Sequence, residues 1–445
     1  LPKIYEVLMV LKKLIGDRAF YRRVFAISVP IIIQNAITNF VNLLDNVMVG
    51  ALGTEAMSGV SIVNQFVFIF NLLLFGAMSA AGIFTAQYHG KGDVQGIRNT
   101  FRLKMLMAVL VGILGVVIFI ALDDQLISTF LHDGESTGNL ELTLAYGKEY
   151  LAVFVIGMIP FAISQAYAST LRETGDTVIP MYSSVIALVC NCGLNYIFIF
   201  VCHLGVTGAA IATVISRFAE MLFVVTVTHA KSARYKFIRG AYRSLALPRA
   251  LITNVLVRGM PLIINEFMWA LSVTLRNQAY SMRGLDVVAA INITSVIVNL
   301  ASVVYMACGA SISIIVGAEL GAGEIDKARD SAWKMLTFSV MCAIATGVLM
   351  TAIAPLFPRI YETTDAVREL ATYMTIVSAI YLPFDAFSNA AYFTIRSGGR
   401  VFITFLLDSG FMWAIVVPLS LCVAHLTNMN ILYFYPKGIN KEIFN

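Results

Sequence analysis

Eleven long apolar runs dominate the sequence and leave few folds open to it. They cover residues 24–50, 57–86, 101–122, 145–171, 177–201, 205–229, 252–280, 287–318, 332–357, 366–395 and 401–424. The hydrocarbon core of a bilayer is about 30 Å thick and takes about 20 apolar residues as a helix. Water is absent there, so a spanning segment must satisfy its own backbone polar groups, which a helix does. Each run therefore predicts one transmembrane helix. Asn430–Pro436 and the polar tail to Asn445 stand where a twelfth span is expected, so the last helix is expected to be incomplete. The chain opens on Leu1, and residues 1–23 lack the apolar core and small-residue cleavage site of a signal peptide.

Composition agrees. Hydrophobic residues make up 59% of the 445 and charged residues 13%, against roughly 25% charged in a soluble domain. So few charges cannot cover a water-facing surface of this size, which excludes a soluble enzyme, a disordered chain and a nucleic-acid-binding module. The six cysteines are scattered through apolar segments, with no zinc spacing or disulfide framework.

The net charge of +5 encodes topology. With the N-terminus inside, the inner segments hold 23 Lys and Arg, among them Arg22, Arg23, Arg98, Arg102, Lys104, Arg172, Arg239, Arg243 and Arg329. The outer loops hold only Lys148, Arg283, Arg359 and Arg368, and the first long one carries Asp123, Asp124, Asp133, Glu135 and Glu141. The positive-inside rule then predicts a cytoplasmic N-terminus, and the expected location is a bacterial-type inner membrane, crossed many times.

The halves repeat. At an offset of 231, Pro30 matches Pro261, Gly53 matches Gly284, Gly90 matches Gly321, Gly92 matches Gly323 and Arg98 matches Arg329. At 223–224, Pro160 matches Pro383, Arg172 matches Arg396 and Gly175 matches Gly399. Six spans separate the copies, so they run parallel, as in transporters whose two bundles rock against each other. The expected fold is all-α: two pseudo-symmetric six-helix bundles around a central cleft. Residues 1–230 form the N-lobe, 231–250 a basic cytoplasmic linker and 251–445 the C-lobe.

Ionisable residues inside a membrane mark pathways or sites by default. Asp45 ends a stripe of Asn35, Thr38, Asn39 and Asn42 at helical spacing, continued by Asn46. Such a stripe reads as the wall of a hydrated cavity; interhelical bonding accounts for one or two amides but less well for the whole stripe. Glu266 sits near mid-span, with Trp269, Arg276 and Tyr280 along its face. Asp385 sits near the middle of the tenth span, followed by Asn389, Tyr392 and Arg396. An apolar slab disfavours the charged carboxylate, more so beside another acid. Glu266 and Asp385 are thus expected to hold a proton or Na⁺, or to compete for an organic cation, unless each is locked to a structural Arg. Arg276 occupies the repeat position of Asp45, and the two are expected to approach when the outer side shuts. Arg217 and Glu220 read as an internal ion pair. Asp408 has no assigned role.

Several stretches resemble the multidrug and toxic compound extrusion (MATE) family. Leu44-Asp45-Asn46-Val47-Met48-Val49-Gly50 looks like its opening motif, Asn191-Cys192-Gly193-Leu194-Asn195-Tyr196 is similar to its fifth span, and Gly205–Thr213 with Ser216-Arg217 is similar to its sixth. The resemblance runs from about residue 20 to 425 and implies a twelve-helix antiporter that exports organic cations and drugs in exchange for H⁺ or Na⁺. Asp45 matches the family's first-lobe carboxylate, and Glu266 and Asp385 its second-lobe carboxylates; Asn195 stands where some branches carry Asp. The expected partners are small organic cations and the lipid bilayer, with no nucleic acid, no enzymatic activity, no cofactor beyond the coupling ion, and a monomeric state. A lipid-linked saccharide flippase of the same superfamily would want a basic cavity, whereas the charges here lean acidic. An integral-membrane enzyme would need an interfacial Asp/His/Ser cluster, and Asp123-Asp124 reads as a solvated loop.

Overall fold

The computed structural model describes residues 14–128, 139–244, 246–361, 363–427 and 431–439. Lys3, Lys12, Lys13, Asp133, Glu135, Asn430 and the tail beyond 439 lie outside the described residues. Among the described residues every regular element is helical. Eleven helices are long and apolar enough to cross a membrane: α1 Arg18–Gly50, α2 Thr54–Lys91, α3 Val94–Ala121, α4 Leu140–Glu173, α5 Val178–Val201, α6 Gly205–Ala230, α7 Arg249–Ser281, α8 Asp286–Gly321, α9 Ile325–Ile353, α10 Asp365–Ser397 and α11 Val401–Leu426. A short helix, α12, follows at Ile431–Ile439. Leu110, Val117, Ile120, Val348 and Leu349 are each more than half exposed, a surface suited to lipid rather than to water.

The chain forms two compact units, residues 33–259 and residues 1–32 with 260–445. Both unit boundaries fall inside a helix, beside Pro30 in α1 and Pro261 in α7. Val24, Ile27 and Ile31 of α1 share a core with Ile312 and Ile315 of α8, and the Ser28 and Ser311 hydroxyls bond at 2.8 Å. Burial of this face is why the start of α1 groups with 260–445. In the same way Arg258 lies over the Phe84 ring, 5.1 Å from its centroid, which keeps the start of α7 with 33–259.

The repeat is visible in the backbone. Gly53 and Gly284 open α2 and α8 at φ 117° and 119°, each with ψ 167°. A side chain would be strained there, so glycine is retained at both corners. Matched positive φ values recur at Gly92 and Gly323 and at Gly175 and Gly399. Packing matches too: α2 lies on α3 and α4, as α8 lies on α9 and α10. Pro160 has a sharper effect than a kink. It follows a 3₁₀ turn at Val155–Gly157 that divides α4, because its ring excludes the carbonyl four residues earlier from a regular helical turn.

Close helix approach depends on small residues, as is usual where helices pack in lipid. A Cβ at Gly59 of α2 would stand 2.6 Å from the Thr143 carbonyl oxygen and 2.8 Å from the Gly147 amide nitrogen of α4. Gly59→Leu is therefore expected to destabilise the 33–259 unit by about 1–3 kcal/mol through overpacking. The check is fluorescence-detected size exclusion after graded heating, where an unchanged melting midpoint would contradict this packing.

Candidate functional site

In the unit 33–259, Asp45 near the end of α1 accepts a hydrogen bond from Asn195 Nδ2 at 2.6 Å. Asn195 also donates to Asn191 Oδ1 at 3.2 Å, and Asn191 donates to Thr213 Oγ1 of α6 at 3.3 Å. Asn195 is the last α-helical residue of α5, which continues as π turns over Tyr196–Val201. Such widened turns recur at functional sites, because they re-aim a side chain that a regular helix would point elsewhere. Arg217 of α6 lies within electrostatic range of Asp45. It pairs with Glu220 at 3.4 Å and lies 4.0 Å above the centre of the Phe161 ring. Asn35 and Asn39 are half-buried and Asn42 is exposed.

A second polar group of this unit was not legible as a site. Lys104 of α3 is fully buried, ion-paired to Glu173 of α4 and bonded to Ser169 Oγ at 3.2 Å. Beside Glu173 in the chain, Arg172 donates to Gln34 Oε1 of α1 at 3.0 Å, and Gln34 donates to Ser184 Oγ of α5 at 3.1 Å. Lys104 was read as a basic residue at a span end, although it lies within the apolar run 101–122; that position was the available signal.

The unit containing 260–445 holds the acidic counterpart. Asn265 Nδ2 of α7 donates to Asp408 Oδ2 of α11 at 3.0 Å. Ser409 Oγ donates to Asn265 Oδ1 at 2.7 Å, and Trp413 Nε1 donates to the Met268 carbonyl at 3.0 Å. Asp408 sits in π turns at Leu406–Gly410. Glu266 adjoins this pair: the charges acting on it are Arg396 of α10 and Asp408. The Arg396 guanidinium lies 5.7 Å from the Tyr392 ring centre and 5.4 Å from that of Phe393. Glu266, Asp408 and Asp385 are each half-buried rather than sealed.

The expected residues thus divide into two groups. Glu266 gathers with Tyr392, Arg396 and Asp408, the acid to which the sequence assigned no role. Asp385 and Arg276 instead act on Tyr435 of α12, whose ring lies tilted with its centre 5.5 Å from that of Tyr280 and whose carbonyl accepts from the Tyr280 hydroxyl at 3.5 Å. Tyr435 lies in the stretch read as a stub, so its part could not be foreseen. Trp269 and Asn389 are half-buried, the latter against Gly309.

The repeat offsets relate the two polar groups. Position 34 plus 231 is 265, and positions 172 and 184 plus 224 are 396 and 408. Gln34, Arg172 and Ser184 in one unit therefore correspond to Asn265, Arg396 and Asp408 in the other, and the bond from the first helix to the fifth is kept in both. Asn35 corresponds to Glu266. One framework carries neutral partners in the first copy and two carboxylates in the second.

The MatE family model matches residues 30–197 and 261–421, the two halves of this repeat. The chain belongs to the MatE family. A probable multidrug resistance protein NorM of Thermotoga maritima is 23% identical over 407 residues, covering 90% of this chain and 84% of the relative. The multidrug resistance protein PmpM of Pseudomonas aeruginosa is 25% identical over 416 residues, covering 91% and 84%. Among solved structures, an outward-facing multidrug resistance MATE family transporter of the MOP superfamily superposes with a TM-score of 0.86 at 18% identity, covering 97% of this chain and 94% of that one. A MOP superfamily transporter from Pyrococcus furiosus, described by the reverse polarity of its binding pocket and a suggested different function, superposes with 0.85 at 18% identity, covering 97% and 94%. The solved structures establish the fold, and the relatives are named as multidrug resistance proteins rather than enzymes; fold alone does not assign the cargo.

The Asp45–Asn195 contact in this MatE member predicts measurable coupling. A double-mutant cycle with Asp45→Ala and Asn195→Ala, read by thermal unfolding in detergent, is expected to return about 1.5–3 kcal/mol, the range for a hydrogen bond to a charged group. Additive effects of the two substitutions would show that the bond contributes nothing.

Proposed function

We propose that this chain is an ion-coupled multidrug efflux antiporter of a bacterial inner membrane, with its N-terminus in the cytoplasm, exporting organic cations in exchange for H⁺ or Na⁺. The observation that carries the reading is the membrane cluster of Glu266, Asp408 and Arg396. Glu266 lies within electrostatic range of one guanidinium and of a second carboxylate, in a weakly polarisable setting where net charge is costly. A proton or Na⁺ arriving there lowers that cost, and so does a cationic drug. Two ligands that relieve the same charge exclude each other, and mutual exclusion is what couples opposite fluxes. Asp385 with Tyr435, and Asp45 with Asn195, supply further carboxylates to which a cation can pass. Efflux then proceeds by alternating access, one repeat moving against the other, as in transporters built from parallel repeats. The names of the relatives, multidrug resistance proteins over most of their length, support the substrate class. A lipid-linked saccharide flippase fits less well, because a pyrophosphate cargo calls for a basic membrane cavity and the second repeat has gained carboxylates.

The test is ethidium transport into everted membrane vesicles with Na⁺ and H⁺ gradients imposed separately. Glu266→Gln and Asp408→Asn are each expected to lower the gradient-driven rate by at least tenfold, with Asp385→Asn assayed alongside. The gradient that drives the wild type identifies the coupling ion. Full transport by both Glu266→Gln and Asp408→Asn would remove the mechanism.

A further inference from the structure

The basic end of the unit 33–259 carries a cavity that the transport reading does not use. It has a volume of about 790 Å³ and lies between the start of α3 and the linker that joins α6 to α7. Arg98, Asn99, Arg102, Arg239, Arg243 and Ser244 line it, and among the described residues no carboxylate does. Arg98 and Arg102 are one helical turn apart on α3 and share a face. Arg102 donates through Nε to the Ala241 carbonyl at 2.6 Å and through Nη2 to the Gly240 carbonyl at 2.8 Å. Arg98 Nε donates to the Phe237 carbonyl at 3.2 Å. These bonds hold the linker against α3 but neutralise no charge. Arg239 and Arg243 of the linker are exposed, and none of the four arginines has a carboxylate partner among the described ion pairs. Asp176, the acid that does meet the linker, is already engaged by Arg234 at 2.7 Å and by the Tyr235 hydroxyl at 2.6 Å.

Four guanidiniums around one cavity repel one another unless an anion joins them. The guanidinium fork matches phosphate oxygens in pairs, which a lysine ammonium does not. The cavity lies at the ends of membrane helices, where a bilayer surface presents phosphodiesters and basic pockets hold anionic head groups. We propose that this cavity is a binding site for a phosphate-bearing anion, which bridges the start of α3 to the inter-repeat linker. An anionic lipid head group and a free phosphate offer the same oxygens.

The experiment uses the full chain in nanodiscs. One arm compares retention of phosphatidylglycerol with phosphatidylcholine by native mass spectrometry. The other titrates inorganic pyrophosphate into phosphatidylcholine nanodiscs and reads the melting midpoint. Both arms compare the wild type with the Arg239→Gln/Arg243→Gln double variant and with Lys327→Gln/Arg329→Gln, which removes the same charge from the start of α9. The expected result is a loss of about 25-fold in affinity for the first double variant, about fivefold per arginine, as for basic residues at a membrane surface. The charge-matched control is expected to keep wild-type binding. A lipid effect alone assigns the head group as the source; an arginine-dependent pyrophosphate shift assigns the free anion. Equal losses in both double variants, or a wild type that neither prefers phosphatidylglycerol nor responds to pyrophosphate, would overturn the site.

Discussion

An ionised side chain within a bilayer must find its solvation inside the protein, because hydrocarbon supplies none. The polar interior of both units follows from that constraint. Lys104 is buried against Glu173 and Ser169, Asp45 is bonded by Asn195, and Asp408 is bonded by Asn265. The Asp45 and Asp408 bonds each join helices far apart in the chain, α1 with α5 and α7 with α11, so the charges also fix which helices pack. Where the local balance is even, as for Lys104 and Glu173, the group acts as structure. Where carboxylates outnumber nearby cations, as for Glu266 and Asp408 around Arg396, the site has reason to take up a cation.

Duplication supplied the framework and divergence supplied the charges. Glycine corners with φ near 118° recur at Gly53 and Gly284, because altering either would strain the entry to a membrane helix. The side chains between the first, fourth and fifth helices of each repeat were freer to change. Gln34, Arg172 and Ser184 keep one copy neutral apart from its arginine, while Asn265, Glu266, Arg396 and Asp408 make the other acidic. A shared scaffold with unlike polarity is a route by which one fold serves different cargos.

Much of the fold was legible before any coordinates, since a span announces itself by length and hydropathy alone. Helix ends were less so: α2 runs over Thr54–Lys91 where the apolar run marks 57–86, because polar residues extend a helix past the hydrocarbon without a hydropathy signal. Asp45 and Glu266 stood out as charges in apolar runs. Asp408 stood out equally but had no visible partner, because α7 and α11 are separated by more than a hundred residues and nothing local indicates that Asn265 faces it. Lys104 was counted as a topology signal, since its fully buried environment is made by α4 rather than by its own neighbours.

The sequence by itself determined an all-helical, multi-pass, duplicated protein and the family to which it belongs. Backbone self-satisfaction, span length and repeated glycines are properties of a single segment or of its register with a copy. Only the tertiary structure decided that Glu266 shares its surroundings with Asp408, and that four arginines from α3 and the linker surround one cavity. The physical reason is range: propensity and hydropathy act along the chain, whereas the field at a buried carboxylate is set by whichever helices pack against it.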